Sequence, residues 1–361
     1  DSQIPLNDHE IQGSLHAECS KIVLKFLWIA RLTRPDIFWT VNLLAKNVTK
    51  WTKACDKRLF RLVCYVEHTK NVVQYCFVGD KPSQCKLILY ADASFAADIK
   101  NSKSTTGGML YLLGPNTCVC LGHVTKKQNA VSHSSTEAEI IALDATLRLD
   151  GLPALLFWDQ VLQMYENIAK PKIQKISKTQ ELANKFGNIL DKYDIKPTEA
   201  VENESVGQSL FAKLLDYVPG SLPKENSLAK LCILEDNEPV LKMAVKQRWP
   251  ALRYVARTQR IDLDWLFERI AYDPGIMIRY VNTKLQLADI LTKGCFTAQQ
   301  FNSLTKSIMI GPVLKSTNKD EPKKATKPLP KGQVYYVGNA RSTARKAKPH
   351  SPLCTVAILA K

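Results

Sequence analysis

Leu87-Ile88-Leu89-Tyr90-Ala91-Asp92 is an apolar run of strand length that ends on an acid. An unbroken apolar run bounded by turn residues reads as a strand buried on both faces, the central position of a sheet covered by helices. Working outward, Gly107–Gly114 and Thr117–Lys126 read as two more strands, joined by the turn residues Gly114-Pro115-Asn116. Ser134-Ser135-Thr136-Glu137 offers a hydroxyl N-cap to a helix that runs to about Leu149. Ala229–Asp236 is a fourth strand, again ending on an acid, and Gly275–Thr283 a fifth. Helical spacing is found in Glu238–Lys246, Thr258–Tyr272, Leu287–Leu291 and Thr297–Ile308. The order β-β-β-α-β-α-β-α predicts an α/β domain over 85–310, with a five-stranded mixed sheet flanked by helices.

Residues 1–80 read as a helical segment. Ile22–Ala30 is apolar, Arg34-Pro35-Asp36 breaks it, and Ile37–Val48 and Lys57–Thr69 repeat a helical pattern. Residues 152–228 read as an insertion in the α/β domain: the start extends the preceding helix, and the rest is polar and partly disordered. Residues 311–361 read as a basic, disordered tail, with eleven Lys and Arg against two acids, a net +9. The start at Asp1, without Met, suggests a piece of something longer.

The chain has 361 residues, 45% of them hydrophobic, room for about two domains with a core. Its formal net charge of +16 favours a polyanionic partner, of which nucleic acid is the commonest. Ten cysteines are scattered with no Cys-x-x-Cys pair, which excludes a zinc ribbon and argues for a reducing compartment. No apolar run is long enough to cross a bilayer, so no membrane partner is expected.

Four acids stand in distinctive settings: Asp92 and Asp236 at strand ends, Glu137 at a helix start, and Asp289 in Leu287-Ala288-Asp289-Ile290-Leu291-Thr292-Lys293. Each has a bland reading. Asp92 is also a turn residue, Glu137 a capping-box acid, and Asp236 and Asp289 helix caps. Taken together, four carboxylates suit the binding of hard divalent cations for phosphodiester chemistry. Glu139 reads as solvent-facing, His133 as structural, and Trp28, Trp39, Trp51 and Trp265 as core residues. Tyr90-Ala91-Asp92-Ala93 lacks the second Asp that a polymerase site needs.

Several segments together resemble the ribonuclease H domain of Ty1/copia-type retrotransposon Pol polyproteins. They are Tyr90-Ala91-Asp92-Ala93-Ser94, Lys103-Ser104-Thr105-Thr106-Gly107-Gly108, Lys126-Lys127-Gln128 and Val131-Ser132-His133-Ser134-Ser135-Thr136-Glu137-Ala138-Glu139. Glu235-Asp236-Asn237, Arg257-Thr258-Gln259-Arg260-Ile261-Asp262 and the Asp289 segment complete the set. Thr33-Arg34-Pro35-Asp36-Ile37 is similar to the segment that connects reverse transcriptase to ribonuclease H in these polyproteins. The resemblance implies a ribonuclease H-like fold that hydrolyses the RNA strand of RNA–DNA hybrids with two Mg²⁺ ions, for which Mn²⁺ can substitute. It assigns Asp92 to both ions, Glu137 and Asp236 to the leaving-group side, and Asp289 to the water-activating side.

Lys126, Lys127 and Arg257 are the implied nucleic-acid contacts, each equally readable as part of a solvated charged face. The resemblance also implies an upstream reverse transcriptase in the same polyprotein and an intracellular setting, in a cytoplasmic retroelement particle or the nucleus. Two other readings stay open. One is an integrase-like nuclease, although such enzymes place their helical Glu after the second Asp. The other is a catalytically silent or co-opted nucleic-acid-binding module or polyprotein fragment.

Overall fold

The structure is a computed structural model that describes residues 4–98, 101–166, 186, 229–246, 252, 254–259, 261–313, 333–336 and 354–358. Two compact units divide the chain: Asp1–Gly79 with Gly294–Lys361, and Asp80–Lys293.

In the first unit the described helices are α1 (Cys19–Leu32), α2 (Phe38–Ala45) and α3 (Lys53–His68). The break between α1 and α2 is held from within. Arg34 and Asp36 form a buried two-pronged ion pair at 2.9 and 2.8 Å, and the Tyr65 hydroxyl of α3 donates to Asp36 at 2.8 Å. Pro35 between them cannot continue α1, so the chain turns at this point. The expectation of an all-helical 1–80 is corrected by β1 (Val72–Val78), a strand in which Val73, Gln74 and Cys76 are buried.

The second unit contains five strands: β2 (Lys86–Ser94), β3 (Thr105–Gly114), β4 (Thr117–Lys127), β5 (Leu231–Glu235) and β6 (Ile276–Tyr280). Their order is β6-β5-β2-β3-β4. β2, β3 and β4 are antiparallel neighbours, whereas β5 runs parallel to both β2 and β6. Among the described residues the helices of this unit are α4 (Ser135–Thr146), α5 (Leu152–Glu166), α6 (Glu238–Lys246), α7 (Val255–Thr258), α8 (Leu263–Tyr272) and α9 (Asp289–Thr292). The first unit closes with α10 (Ala298–Ser307), β7 (Ile310–Pro312), β8 (Gln333–Tyr336) and β9 (Cys354–Ile358). There β1 pairs antiparallel with β7 and then with β9, and β9 runs parallel to β8. A five-strand sheet is therefore an undercount for this chain, which has nine strands among its described residues.

The two faces of β2 explain its sequence. Leu87, Leu89 and Ala91 join a core with Ile140 and Leu143 of α4, Leu231 and Ile233 of β5, and Leu266 and Phe267 of α8. The intervening residues point the other way, where Tyr90 meets Tyr111 edge-on with ring centroids 6.0 Å apart. Both faces are covered, so the whole run is apolar until it reaches Asp92. The β3–β4 turn is capped by Asp80, whose carboxylate accepts from Asn116 N at 2.7 Å and Nδ2 at 3.0 Å.

The start of the 152–228 insertion is the helix α5, and most of the remainder lies outside the described residues. The 311–361 tail does too, apart from residues 311–313, β8 and β9.

Candidate active site

Two parallel neighbours, β2 and β5, end side by side, and the carboxyl ends of parallel strands are where open α/β sheets collect their ligands. Asp92 lies near the end of β2, directly across from Gly107 of β3. Because Gly107 has no side chain, α9 can sit close: a Cβ there would stand 2.4 Å from Thr292 Cγ2 and 3.1 Å from the Ala288 carbonyl. Two further bonds seat α9 on the sheet. Gln286 Nε2 donates to the Ala91 carbonyl at 2.9 Å, and Thr125 Oγ1 donates to the Leu291 carbonyl at 2.8 Å. Asp289, the first residue of α9, is thereby brought to Asp92 and hydrogen-bonded to it. The Thr292 hydroxyl also donates to Asp92 Oδ2.

Lys293 holds this end of the cluster electrically. Its Nζ is 2.6 Å from Asp289 Oδ1 and 3.9 Å from Asp92 Oδ1. Burial raises the Asp92 carboxyl, and the Asp236 charge raises it further, against the opposing pull of Lys293 and Thr292. Burial and the Asp92 charge push Asp289 up to about 7. For Lys293, burial acts to lower the ammonium, but Asp92 and Asp289 together outweigh it and leave it above the ordinary lysine range.

The helix α4 supplies an acid, but not the expected one. Glu137 is buried away from this cluster, with its carboxylate taken up by His133 N at 2.7 Å, Tyr254 Oη at 2.9 Å and Gln259 Nε2 at 3.2 Å. Its own N–H donates to the N-cap Ser134 Oγ at 3.1 Å. Glu137 is thus a capping acid that also clasps the segment around α7. Glu139, expected to face solvent, is instead 8% exposed. Burial raises its carboxyl well above the usual range, and the charges of Glu235, Asp92 and Asp236 add to this. The Ala93 backbone N–H is its hydrogen-bond partner. Glu139 therefore stands where Glu137 was expected.

Glu235 is a further acid of the cluster that sequence reasoning missed. It is wholly buried at the last position of β5 and raised well above the carboxylate range by burial, then by Asp236 and Asp92. Asp236 follows it, half-buried past the strand end. The structure thus brings Asp92, Asp236 and Asp289 together, adds Glu139 and Glu235, and sets Glu137 apart.

Of the expected nucleic-acid contacts, Lys126 is exposed and Lys127 is ion-paired with Asp98. Both lie at the end of β4, level with Thr105 and Thr106, at the same end of the sheet as Asp92. The Arg257 side chain lies outside the described residues. Gln128, beside the lysines, is structural: its Nε2 donates to Thr106 Oγ1 at 3.2 Å and to the Ala138 carbonyl at 2.9 Å, tying β4 to α4.

Among the described residues no three His, Cys, Asp or Glu side chains are drawn together closely enough to hold a metal ion. The chemistry of the donors nevertheless suits one. All are hard carboxylate oxygens, and Glu139 Oε2 and Glu235 Oε2 are buried without a hydrogen-bond partner.

Fold and site together define an α/β protein with an acidic centre at the ends of two parallel strands. Known proteins place it further. Over 117 residues the chain is 30% identical to the secreted RxLR effector protein 161 of Plasmopara viticola, covering 78% of that protein and 32% of this chain, and it belongs to that protein's family. It is 32% identical over 115 residues to an uncharacterized mitochondrial protein of Arabidopsis thaliana, covering 45% of that protein and 32% of this chain. It is 35% identical over 112 residues to the retrovirus-related Pol polyprotein from transposon RE1 of the same plant, covering 7% of the polyprotein and 30% of this chain. The last two relatives support a retrotransposon Pol origin. No protein-family model and no solved structure matches the chain. No helix among the described residues is long and apolar enough to cross a membrane.

Proposed function

We propose that the second unit is a ribonuclease H-like domain of retrotransposon origin that hydrolyses the RNA strand of RNA–DNA hybrids. The observation that carries this reading is the gathering of Asp92, Glu139, Asp236 and Asp289 at the ends of β2 and β5. Divalent cations, Mg²⁺ or Mn²⁺, would draw these four hard donors closer, since as they stand no three of them are near enough to hold an ion. When bound, such ions supply an activated water and charge stabilisation for the leaving oxygen.

The chain's own residues do the positioning. Thr292 and Lys293 fix the orientations of the Asp92 and Asp289 carboxylates. The seat of α9 over Gly107 sets the spacing between those two acids. Lys126, at the same end of the sheet, and Arg257 would meet the phosphates of the hybrid, which is recognised by shape and 2′-hydroxyls rather than by sequence. An upstream reverse transcriptase in the same polyprotein is the proposed partner, a reading that the similarity to the RE1 Pol polyprotein supports.

A second reading rests on Lys293. An ammonium 2.6 Å from Asp289 already neutralises part of the acidic centre, as it would in a module that binds nucleic acid without turnover. One experiment separates the two. A labelled RNA–DNA hybrid is incubated with the full chain in Mg²⁺, in chelator, and with Asp236→Asn. RNA-strand cleavage that needs both the metal and Asp236 is the expected result. Hybrid binding with no cleavage in Mg²⁺ or Mn²⁺ favours the binding module.

A further inference from the structure

The acidic centre is electrically lopsided. At the Asp92–Asp289 end, Lys293 and the Thr292 hydroxyl balance the carboxylates. At the other end the Glu235 charge bears on Glu139, and Asp92 and Asp236 bear on both, all negative. Glu235 is not there by accident of a loop. It continues the alternation of Leu231 and Ile233, which places it on the α4 side of the sheet, the side from which Glu139 arrives. One oxygen of each carboxylate is satisfied: Glu235 Oε1 accepts from Asn237 N at 3.0 Å, and Glu139 accepts from Ala93 N. The other oxygen of each is buried with no partner. Two buried carboxyls whose second oxygens meet no donor are completed either by a proton or by a cation, and one divalent cation between them would answer both oxygens at once.

Resting on the ribonuclease H reading, we infer that Glu235 is a fifth acid of the centre and that, with Glu139, it forms the tighter of its divalent-cation positions. The end occupied by Lys293 is the weaker one, because a cation entering there competes with an ammonium already in place. Glu235 acts on the ion directly and on the reacting phosphate only through it, so it is a positioning residue.

The test is binding rather than turnover. Mn²⁺ is titrated calorimetrically into the full chain, and the Mg²⁺-induced rise in melting temperature is measured alongside. Glu235→Gln, Glu139→Gln and Asp289→Asn are compared with the unaltered protein, and circular dichroism checks each fold. Glu235→Gln and Glu139→Gln are each expected to weaken the tightest Mn²⁺ event at least about tenfold, and Asp289→Asn to weaken it less. In the absence of cations, Glu235→Gln should melt higher than the unaltered protein, because a buried unpaired acid has been removed. If Glu235→Gln does not fold, Glu235→Met, an apolar residue of similar length at a buried strand end, takes its place. If Glu235→Gln binds Mn²⁺ as tightly as the unaltered protein while Glu139→Gln does not, the role of Glu235 is overturned and the site reading stands. If the unaltered protein binds neither Mn²⁺ nor Mg²⁺, the site reading fails and this inference with it.

Discussion

Gly107→Ala is a one-carbon change that reaches the acidic centre through packing alone. Gly107 lies across the β2–β3 ladder from Asp92 and points to the same side as α9. The added Cβ would stand 2.4 Å from Thr292 Cγ2, 3.1 Å from the Ala288 carbonyl and 3.2 Å from Leu291 Cβ. Carbon atoms rest at about 3.5–4.0 Å, so Thr292 must retreat by about 1 Å. Two of the three neighbours are backbone or Cβ atoms, so rotating a side chain cannot relieve the contact and the whole of α9 must lift. Lifting α9 stretches the Thr292 hydroxyl from Asp92 and carries Asp289 away with it. The overpacking costs about 1–3 kcal/mol of stability. Displacing a reacting group by about 1 Å costs on the order of a hundredfold in rate.

Gly108→Ala is the control. Its Cβ would meet Thr146 Cγ2 at the same 2.4 Å, but on the α4 side of the sheet, away from α9 and at the last residue of α4, seven positions beyond Glu139. Both variants are expected to lose comparable stability in urea denaturation, and only Gly107→Ala to lose Mg²⁺-dependent hybrid cleavage far beyond its loss of folded protein. Equal cleavage by the two folded variants would refute the claim that the seat of α9 sets the site.

Three more outcomes follow from particular contacts. Lys293→Met removes the ammonium that offsets Asp289 and Asp92; with the lysine side chain 37% exposed, the loss should be about 1–3 kcal/mol in urea denaturation at neutral pH, and an unchanged midpoint would show the ion pair to be inert. Tyr254→Phe takes one of three donors from the buried Glu137 and should cost about 1–2 kcal/mol, with faster amide hydrogen exchange through α7; unchanged exchange there would deny Glu137 its clasping role. Lys86, buried in β2, is pushed down to about 8 by its burial, below the ordinary lysine value of 10.5. Between those values the unfolded chain binds more protons than the folded one, so stability rises with pH across that window and the burial penalty is fully present below about 8. Lys86→Met should therefore be the more stable protein at pH 7 and lose about 3 kcal/mol of that advantage by pH 10.5, whereas a difference flat with pH would place the ammonium in water.

Much of the second unit was legible because its signals are local. A continuous apolar run marks β2, turn residues mark the β3–β4 hairpin, and Ser134 caps α4 through a bond confined to one turn. β1 was missed although Val72, Val73, Tyr75 and Phe77 have strand character, because β7 and β9, with which it pairs, lie more than two hundred residues downstream. The choice between Glu137 and Glu139 could not be made from helix phase. Every residue from Glu137 to Leu143 is buried, so no polar face tells which acid turns inward. Glu235 was overlooked for a related reason. Beside Asp236 at a strand end it looks redundant, and only the alternation of β5 against α4 puts both acids in reach of one centre.

The cost of the acidic centre is itself an argument about what the unit does. Burying an unpaired carboxyl opposes folding, and here Glu139 and Glu235 each keep a buried oxygen that no donor of the chain meets. The apolar packing of β2, β5 and α4 is complete in leucine, isoleucine and alanine and does not itself use either acid. A glutamine or an apolar residue of the same length would fill each position and release the strain. Buried polar groups left unmet in a folded chain collect where a ligand completes them. Lys293 pairs with Asp289 and Asp92, and no ion pair reaches Glu139 or Glu235 among the described residues. Hard oxygen donors suit a divalent cation, so under the proposed reading the feature that weakens the fold is also the one that bound Mg²⁺ or Mn²⁺ would offset.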